Sequence, residues 1–454
     1  MFRIEASRQS STYCDGMSRR SFLQIGIAGV ASASLADVLR AKNASERLGH
    51  AKKDTSVILI WLDGGPSHMD LWDMKPDAPA EYRGLWQPIG TNVSGLDISE
   101  FFPKKARNAD KFSIVRSLCN NQTHHEPASR QMLTGRDNRG ADNKRAKYPS
   151  IGSIATKVCG SRRPGIPPYI SVPVASTIGH VPGYLGASYL GIQHDPFQTG
   201  GDPNLADFKI KNLTPPSGIN VERLEDRAGL RKQFDNWHRQ VDKSNTFAAL
   251  DKFDKQAFEL VAGSTARKAF DISLESDRNR DRYGRNSWGQ STLLARRLVE
   301  AGSTFVTVHC GGWDSHWELE ASMKRQLPQL DSLVSALFED LADRGLLDQV
   351  MVVVGGEFGR TPFMNTGHDK GKPGRDHWGN TFSCLFGGGG VQGGQIVGAS
   401  NDRGEYVTDR LVTPSDFHAT IYHALGVDPE IHLLDLAGRP VPAVVDGKVI
   451  TELF

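Results

Sequence analysis

The chain is sparing with the residues that announce simple functional classes. It has 454 residues but only five cysteines (Cys14, Cys119, Cys159, Cys310 and Cys384), and no two form a Cys-x-x-Cys pair. That removes zinc-finger and thioredoxin-like readings and leaves one or two disulfides as the most the mature part can hold. The formal net charge is +2, so no global field draws it to nucleic acid or to anionic membranes. There is no low-complexity tract and no internal repeat. The apolar run Ile25–Leu35 is too short, and too rich in Gly, Ala and Ser, to span a bilayer stably.

That run does follow Ser18-Arg-Arg-Ser-Phe-Leu-Gln24, in which Arg19-Arg20 and Phe22-Leu23 match a twin-arginine export signal. Residues 1–45 are therefore expected to be signal and unstructured lead, with the twin-arginine translocase as a partner and a periplasmic or extracellular destination. The signal either is cleaved or stays as an anchor. What remains, residues 46–454, is long enough for one large α/β domain with insertions. Forty-seven glycines and 23 prolines suggest many turns over that scaffold.

Apolar runs suited to buried strands occur at Ser56–Leu62, Ser113–Leu118, Thr304–His309, Gln349–Val354 and Thr381–Phe386. Helical spacing marks Trp288–Ala301, Gln326–Arg344 and Pro414–Leu425, the last with Thr413-Pro414 as cap and first-turn proline. Residues 219–275 read as a charged helical insertion, most simply a cap over the site mouth. Strands alternating with helices imply a doubly wound, mainly parallel sheet, whose site lies beyond the carboxyl ends of the strands.

Metal-ligand residue types fall at those ends. Asp63 follows the first strand; His309, Asp314 and His316 follow the third; Glu357 follows the fourth; Asp376-His377 precede the fifth. Carboxylates and imidazoles converging on one sheet edge are what a divalent cation needs. The expected ligands are Asp63, Asp314, His316, Glu357 and His377, with His309 ranked lower. Zn²⁺ or Mn²⁺ suits the mixed donors, with Mg²⁺ and Ca²⁺ as alternatives. His68, Asp70, Asp73, His418 and His423 are expected to pack or brace. Trp313, Trp317 and Trp378 flank the ligands, either to stack on a sugar ring or to shield the cation.

Four segments carry a family resemblance: Trp61-Leu-Asp-Gly-Gly-Pro66, Gly356-Glu-Phe-Gly-Arg-Thr-Pro362, Asp376-His-Trp378 and Thr413-Pro-Ser-Asp-Phe-His-Ala-Thr-Ile421. With them the chain resembles the alkaline phosphatase superfamily, and more closely a group of exported bacterial sulfatase-like proteins. The resemblance implies an alkaline phosphatase-like fold. It also implies that Asp63 holds one cation of a pair, that Asp314-Ser-His316 holds the other, and that His377 matches the final histidine. Glu357-Phe358 stands where the superfamily has Asp-His.

Sulfatases carry Cys-x-Pro-Ser-Arg, then Thr-Gly-Arg four residues on, and the cysteine becomes formylglycine. This chain reads His125-Glu-Pro-Ala-Ser-Arg-Gln-Met-Leu-Thr-Gly-Arg136. His125 occupies the nucleophile position, so formylglycine chemistry is excluded there, and an imidazole attacks phosphorus or binds metal instead. Ser129 is a weaker nucleophile candidate. Arg136, Arg360, Lys370 and Lys372 are the candidate groups for anionic substrate oxygens. The expected function is metal-dependent hydrolysis of a phosphate or sulfate ester, such as a sulfated or phosphorylated carbohydrate. The alternatives are a non-catalytic metal- or carbohydrate-binding protein on the same scaffold, or a structural envelope protein.

Overall fold

Eight strands form the central sheet of the computed structural model, which describes residues 54–137, 146–210, 263–368 and 371–454. The expected export signal and lead (residues 1–45), and residues 219–262 of the expected helical insertion, lie outside the described residues. The rest of that insertion is described, and it contains the short helix Ser264–Phe270. Residues Asp54–Phe454 form one compact unit. Among the described residues no helix is long and apolar enough to cross a membrane.

The strands are β1 (Ser56–Asp63), β2 (Phe112–Leu118), β3 (Tyr169–Val172), β4 (Phe197–Gln198), β5 (Phe305–Gly311) and β6 (Val350–Gly355). A separate ribbon pairs β7 (Gly359–Arg360) with β8 (His377–Trp378), and β9 (Phe382–Gly387) and β10 (Ile396–Val397) return to the main sheet. The sheet order is β10-β2-β9-β6-β1-β5-β3-β4. Every pairing is parallel except those of β9, which runs against both β2 and β6. β6 and β9 are joined through the β7–β8 ribbon, which lies at the carboxyl edge of the sheet. Because β9 is reversed, residues that precede it arrive at the same sheet edge as residues that follow β1, β5 and β6.

The strands alternate their side chains between two cores. Ile58, Ile60, Leu62, Val306, Val308, Val352 and Val354 face one layer. That layer includes α3 (Ser287–Ala301) and α4 (Leu319–Asp343). Val57, Leu59, Trp61, Phe305, Met351 and Val353 face the other. There α1 (His125–Thr134), α2 (Ile151–Cys159) and α5 (Pro414–Leu425) pack. β1 is buried along its whole length, as a strand covered on both faces must be. This is a doubly wound α/β fold, as the alternation of strands and helices implied.

α5 has the expected bounds and a full capping box, with the Thr413 side chain accepting from the Asp416 N–H and Asp416 accepting from the Thr413 N–H. α4 differs: it begins at Leu319, not Gln326, and carries Pro328 inside it. Burial of Leu319, Met323 and Leu327 holds the earlier turns against the core despite the proline.

Candidate metal centre

The site is assembled at the carboxyl edge of β1, β5 and β6 and the start of the β7–β8 ribbon. Gly64 and Gly65 turn the chain out of β1 with positive φ. A Cβ on Gly64 would lie 2.7 Å from the Asp314 backbone nitrogen, so only glycine lets the two loops approach this closely. Arg360 is fully buried and fixes the same junction. Its guanidinium donates to the carbonyls of Gly64, Gly65 and Arg375 and, at 2.7 Å, to Asp314 Oδ1.

Around Asp314 stand three imidazoles. His316 Nε2 lies 3.0 Å and His377 Nε2 3.1 Å from Asp314 Oδ1, and His125 Nε2 lies 3.4 Å from Oδ2. The two Nε2 atoms of His316 and His377 are 3.0 Å apart. On the far side of each ring an oxygen acceptor takes Nδ1. Glu357 Oε1 lies 2.8 Å from His125 Nδ1, Asp376 Oδ1 2.6 Å from His316 Nδ1, and the Thr123 carbonyl 2.8 Å from His377 Nδ1. Carboxylates and carbonyls only accept, so each Nδ1 donates, and the Nε2 atoms are left facing Asp314 and one another. Three Nε2 atoms and a carboxylate then converge, and a divalent cation that displaces the Nε2 protons would find histidines already oriented as ligands. The ligand atoms of His125, Asp314 and His377 all lie within 4.8 Å of one another.

The electrostatics agree. Burial pulls the His125 imidazolium down, but the Asp314 and Glu357 carboxylates outweigh it and raise His125 to about 9. Burial likewise opposes ionisation of Asp314, yet hydrogen bonds from His125 and His377 and the Arg360 guanidinium hold it far below the usual carboxylate range. Burial lowers His377, and Arg360 and His125 add to the effect. The Asp314 and Glu357 carboxylates therefore favour positive charge at His125, which its imidazolium or a cation in its place supplies. Phe358 closes the floor, its ring centroid 5.1 Å from that of His125 and 4.6 Å from that of His377.

Of the five expected ligands, Asp314, His316 and His377 are brought together, and His125 joins them. Glu357 lies behind His125. It is fully buried, its oxygens accept from the Gly64 N–H at 2.9 and 3.2 Å, and it orients His125. Asp63 is occupied by donors. It accepts from the Ile178 N–H and the Trp61 indole N–H, and its Oδ2 lies 3.0 Å from His309 Nε2. Ile178 is held at φ 49°, a strained value for a β-branched residue.

The candidate anion-binding groups scatter. Arg136 lies past the carboxyl end of α1, away from His125, and donates to the Pro442 carbonyl while lying over the Tyr148 ring. Arg360 spends its donors on backbone and Asp314. Lys372 is exposed and pairs with Glu318 at 3.1 Å. Lys370 lies outside the described residues. Ser129 is wholly buried in α1, so its hydroxyl has no route to a substrate.

Among the flanking tryptophans, Trp313 is buried and stacks on Trp288, and Trp378 donates to the Glu405 carbonyl. Trp317 is exposed. His68 and His418 are buried and bonded to the carbonyls of Gly404 and Met132. Asp376 is the residue that strand-end reasoning undervalued. It was visible beside His377, but nothing in the sequence says that its carboxylate turns to His316.

Residues 54–454 match the model of a family described as a protein of unknown function, DUF1501, and the chain belongs to that family. No curated protein matches the sequence. Several solved structures are similar at low identity. A sulfatase from Pseudoalteromonas sp. is 14% identical, over 95% of this chain and 75% of that one, with a TM-score of 0.40. A phosphonate monoester hydrolase from Silicibacter pomeroyi is 12% identical over 87% and 76%, at 0.36. An alkaline phosphatase superfamily protein from Vibrio parahaemolyticus is 9% identical over 82% and 67%, at 0.37. Likenesses this distant leave the chemistry to be argued from the residues themselves.

Proposed function

We propose that this member of a family of unknown function is an exported, metal-dependent hydrolase of phosphate or sulfate esters. The observation that carries the reading is the convergence of three Nε2 atoms on Asp314, each imidazole held from behind by an oxygen acceptor. The donor set of imidazoles and one carboxylate suits Zn²⁺ or Mn²⁺ better than Mg²⁺ or Ca²⁺, which prefer oxygen throughout. His125, Asp314, His316 and His377 are the residues that would hold the cation. When bound, it supplies a Lewis acid and a nucleophile derived from water at neutral pH.

The chain's own residues do the rest. Glu357 keeps the His125 proton on Nδ1, which makes that imidazole a ligand and leaves no uncommitted nucleophile at the position. Asp376 does the same for His316, and the Thr123 carbonyl for His377. Arg360 holds the Asp314 carboxylate still while Phe358 excludes water from beneath. Lys372, exposed on the loop that leads to Asp376, is a cationic group that an anionic ester would draw from its Glu318 partner. The substrate class is a small anionic ester, such as a sulfated or phosphorylated carbohydrate. The twin-arginine motif supports a periplasmic or extracellular location.

The test is a screen of aryl phosphate monoesters, diesters and sulfates with Zn²⁺- or Mn²⁺-loaded protein, beside a His125→Ala variant. Turnover by the wild type that falls to background in the variant supports the reading. Stoichiometric cation without turnover of any ester supports the binding protein instead.

A further inference from the structure

On the outer side of His316 a second group of ligand atoms comes together. His316 Nδ1, His368 Nε2 and a carboxylate oxygen of Asp376 all lie within 4.8 Å of one another. Asp376 Oδ1 is 2.6 Å from His316 Nδ1 and 2.8 Å from His368 Nε2. The loop is stitched to hold them. Asn365 donates to the His316 carbonyl and to Asp376 Oδ2, and its own Oδ1 accepts from the N–H groups of Gly367 and Gly374. The Thr361 hydroxyl accepts from the Asp376 N–H. His368 adopts φ 44°, a left-handed backbone that a non-glycine residue takes at a cost, and its ring centroid lies 6.1 Å from that of His316. Arg360, the nearest guanidinium to Asp314, is turned to Gly64, Gly65, Arg375 and Asp314, so the direct partners of Asp376 are two imidazoles and an amide.

We propose that His316, His368 and Asp376 form a second divalent-cation site beside the first, of the same Zn²⁺ or Mn²⁺ chemistry. The proposal rests on the reading of the His125–Asp314–His377 centre as the first site. His316 is the pivot between them. With one cation present its Nδ1 donates to Asp376 and its Nε2 faces the first site. With two present its Nδ1 ligates the second cation, and its proton sits on Nε2, which donates to Asp314 Oδ1 at the observed 3.0 Å. The imidazole stays neutral in both states, so the change is a tautomer shift with no net proton released. The first cation is then left with three protein ligands, His125, Asp314 and His377, and an open position, as catalytic sites have. His368, exposed at the surface, gives the second cation a route in from solvent.

The experiment is Zn²⁺ titration of the metal-stripped mature protein, followed by desalting and elemental analysis, for wild type, His368→Ala and Asp376→Asn. His368 is exposed, so its truncation leaves folding intact, and thermal unfolding of each variant checks this. The expected result is two Zn²⁺ per chain in two binding steps, with the weaker step lost or weakened at least about tenfold in both variants. One Zn²⁺ per chain in wild type and in His368→Ala overturns the second site and leaves Asp376 as a residue that orients His316. Two per chain in all three proteins places the second ion elsewhere and overturns it as well. No Zn²⁺ in the wild type overturns the first centre, an outcome distinct from either.

Discussion

Glu357 Oε1 lies 2.8 Å from His125 Nδ1, and this bond decides what His125 can do. A histidine at the start of a helix, facing a cluster of ionisable groups, invites a covalent mechanism. With Nδ1 committed to a buried carboxylate and Nε2 facing Asp314, the ring is oriented for the ligand role proposed above. Glu357 itself is anchored by the Gly64 N–H, and its carbonyl accepts from Asn120 at 2.6 Å.

Replacing Glu357 with Gln or Ala is therefore expected to weaken cation binding by roughly 10- to 100-fold while the fold is retained. Competition with a chromophoric chelator measures this directly. An unchanged dissociation constant in Glu357→Ala would mean that His125 is not a ligand.

Arg360 joins the β1 loop, the Asp314 loop and the β7–β8 ribbon through one guanidinium. Arg360→Lys keeps the charge but cannot reproduce the fork. It should destabilise the protein by about 3–5 kcal/mol in urea unfolding, because carbonyls and Asp314 lose a buried partner. The same variant should bind cation more weakly. A surface charge would show neither effect.

Lys105 is fully buried, with its ammonium over the Phe102 ring and no hydrogen-bond partner for Nζ. Burial pushes it down from 10.5 to about 7, against the pull of the Asp331 carboxylate. Because the folded pKa lies below the unfolded one, the unfolded chain binds the extra proton between those values. Stability should rise with pH from about 7 to about 10.5 and be flat in this contribution below 7. Lys105→Met should stabilise the protein at neutral pH and remove that part of the slope. Denaturant melts at pH 7 and pH 9.5 test both signs.

Much of this was legible in the sequence, and the misses have physical reasons. β1, β2, β5, β6 and β9 are marked by apolar runs because a doubly covered strand has no polar face to hide. α5 is marked to the residue by Thr413-Pro414, since capping chemistry is local. β9's direction was not legible, because it depends on the connection, which here runs through the β7–β8 ribbon. In the site, strand ends located Asp314, His316 and His377, since a parallel sheet delivers its loops to one edge. The partners of Glu357 and Asp63 were not legible from position. Both sit at strand ends, and only the folded structure pairs Glu357 with His125 and Asp63 with His309 and the Ile178 N–H. Arg136 shows the same limit: it follows His125 closely in sequence, yet the intervening helix carries it to the other end.

The most direct measurement is elemental analysis of the purified mature protein beside an Asp314→Ala, His377→Ala double variant. Asp314 and His377 are two of the four proposed donors, and both lie outside the core of the sheet. Stoichiometric Zn²⁺ or Mn²⁺ in the wild type, lost in the variant with folding retained, is the predicted result. A well-folded wild type that takes up no cation even after reconstitution would contradict the centre, and with it the hydrolase.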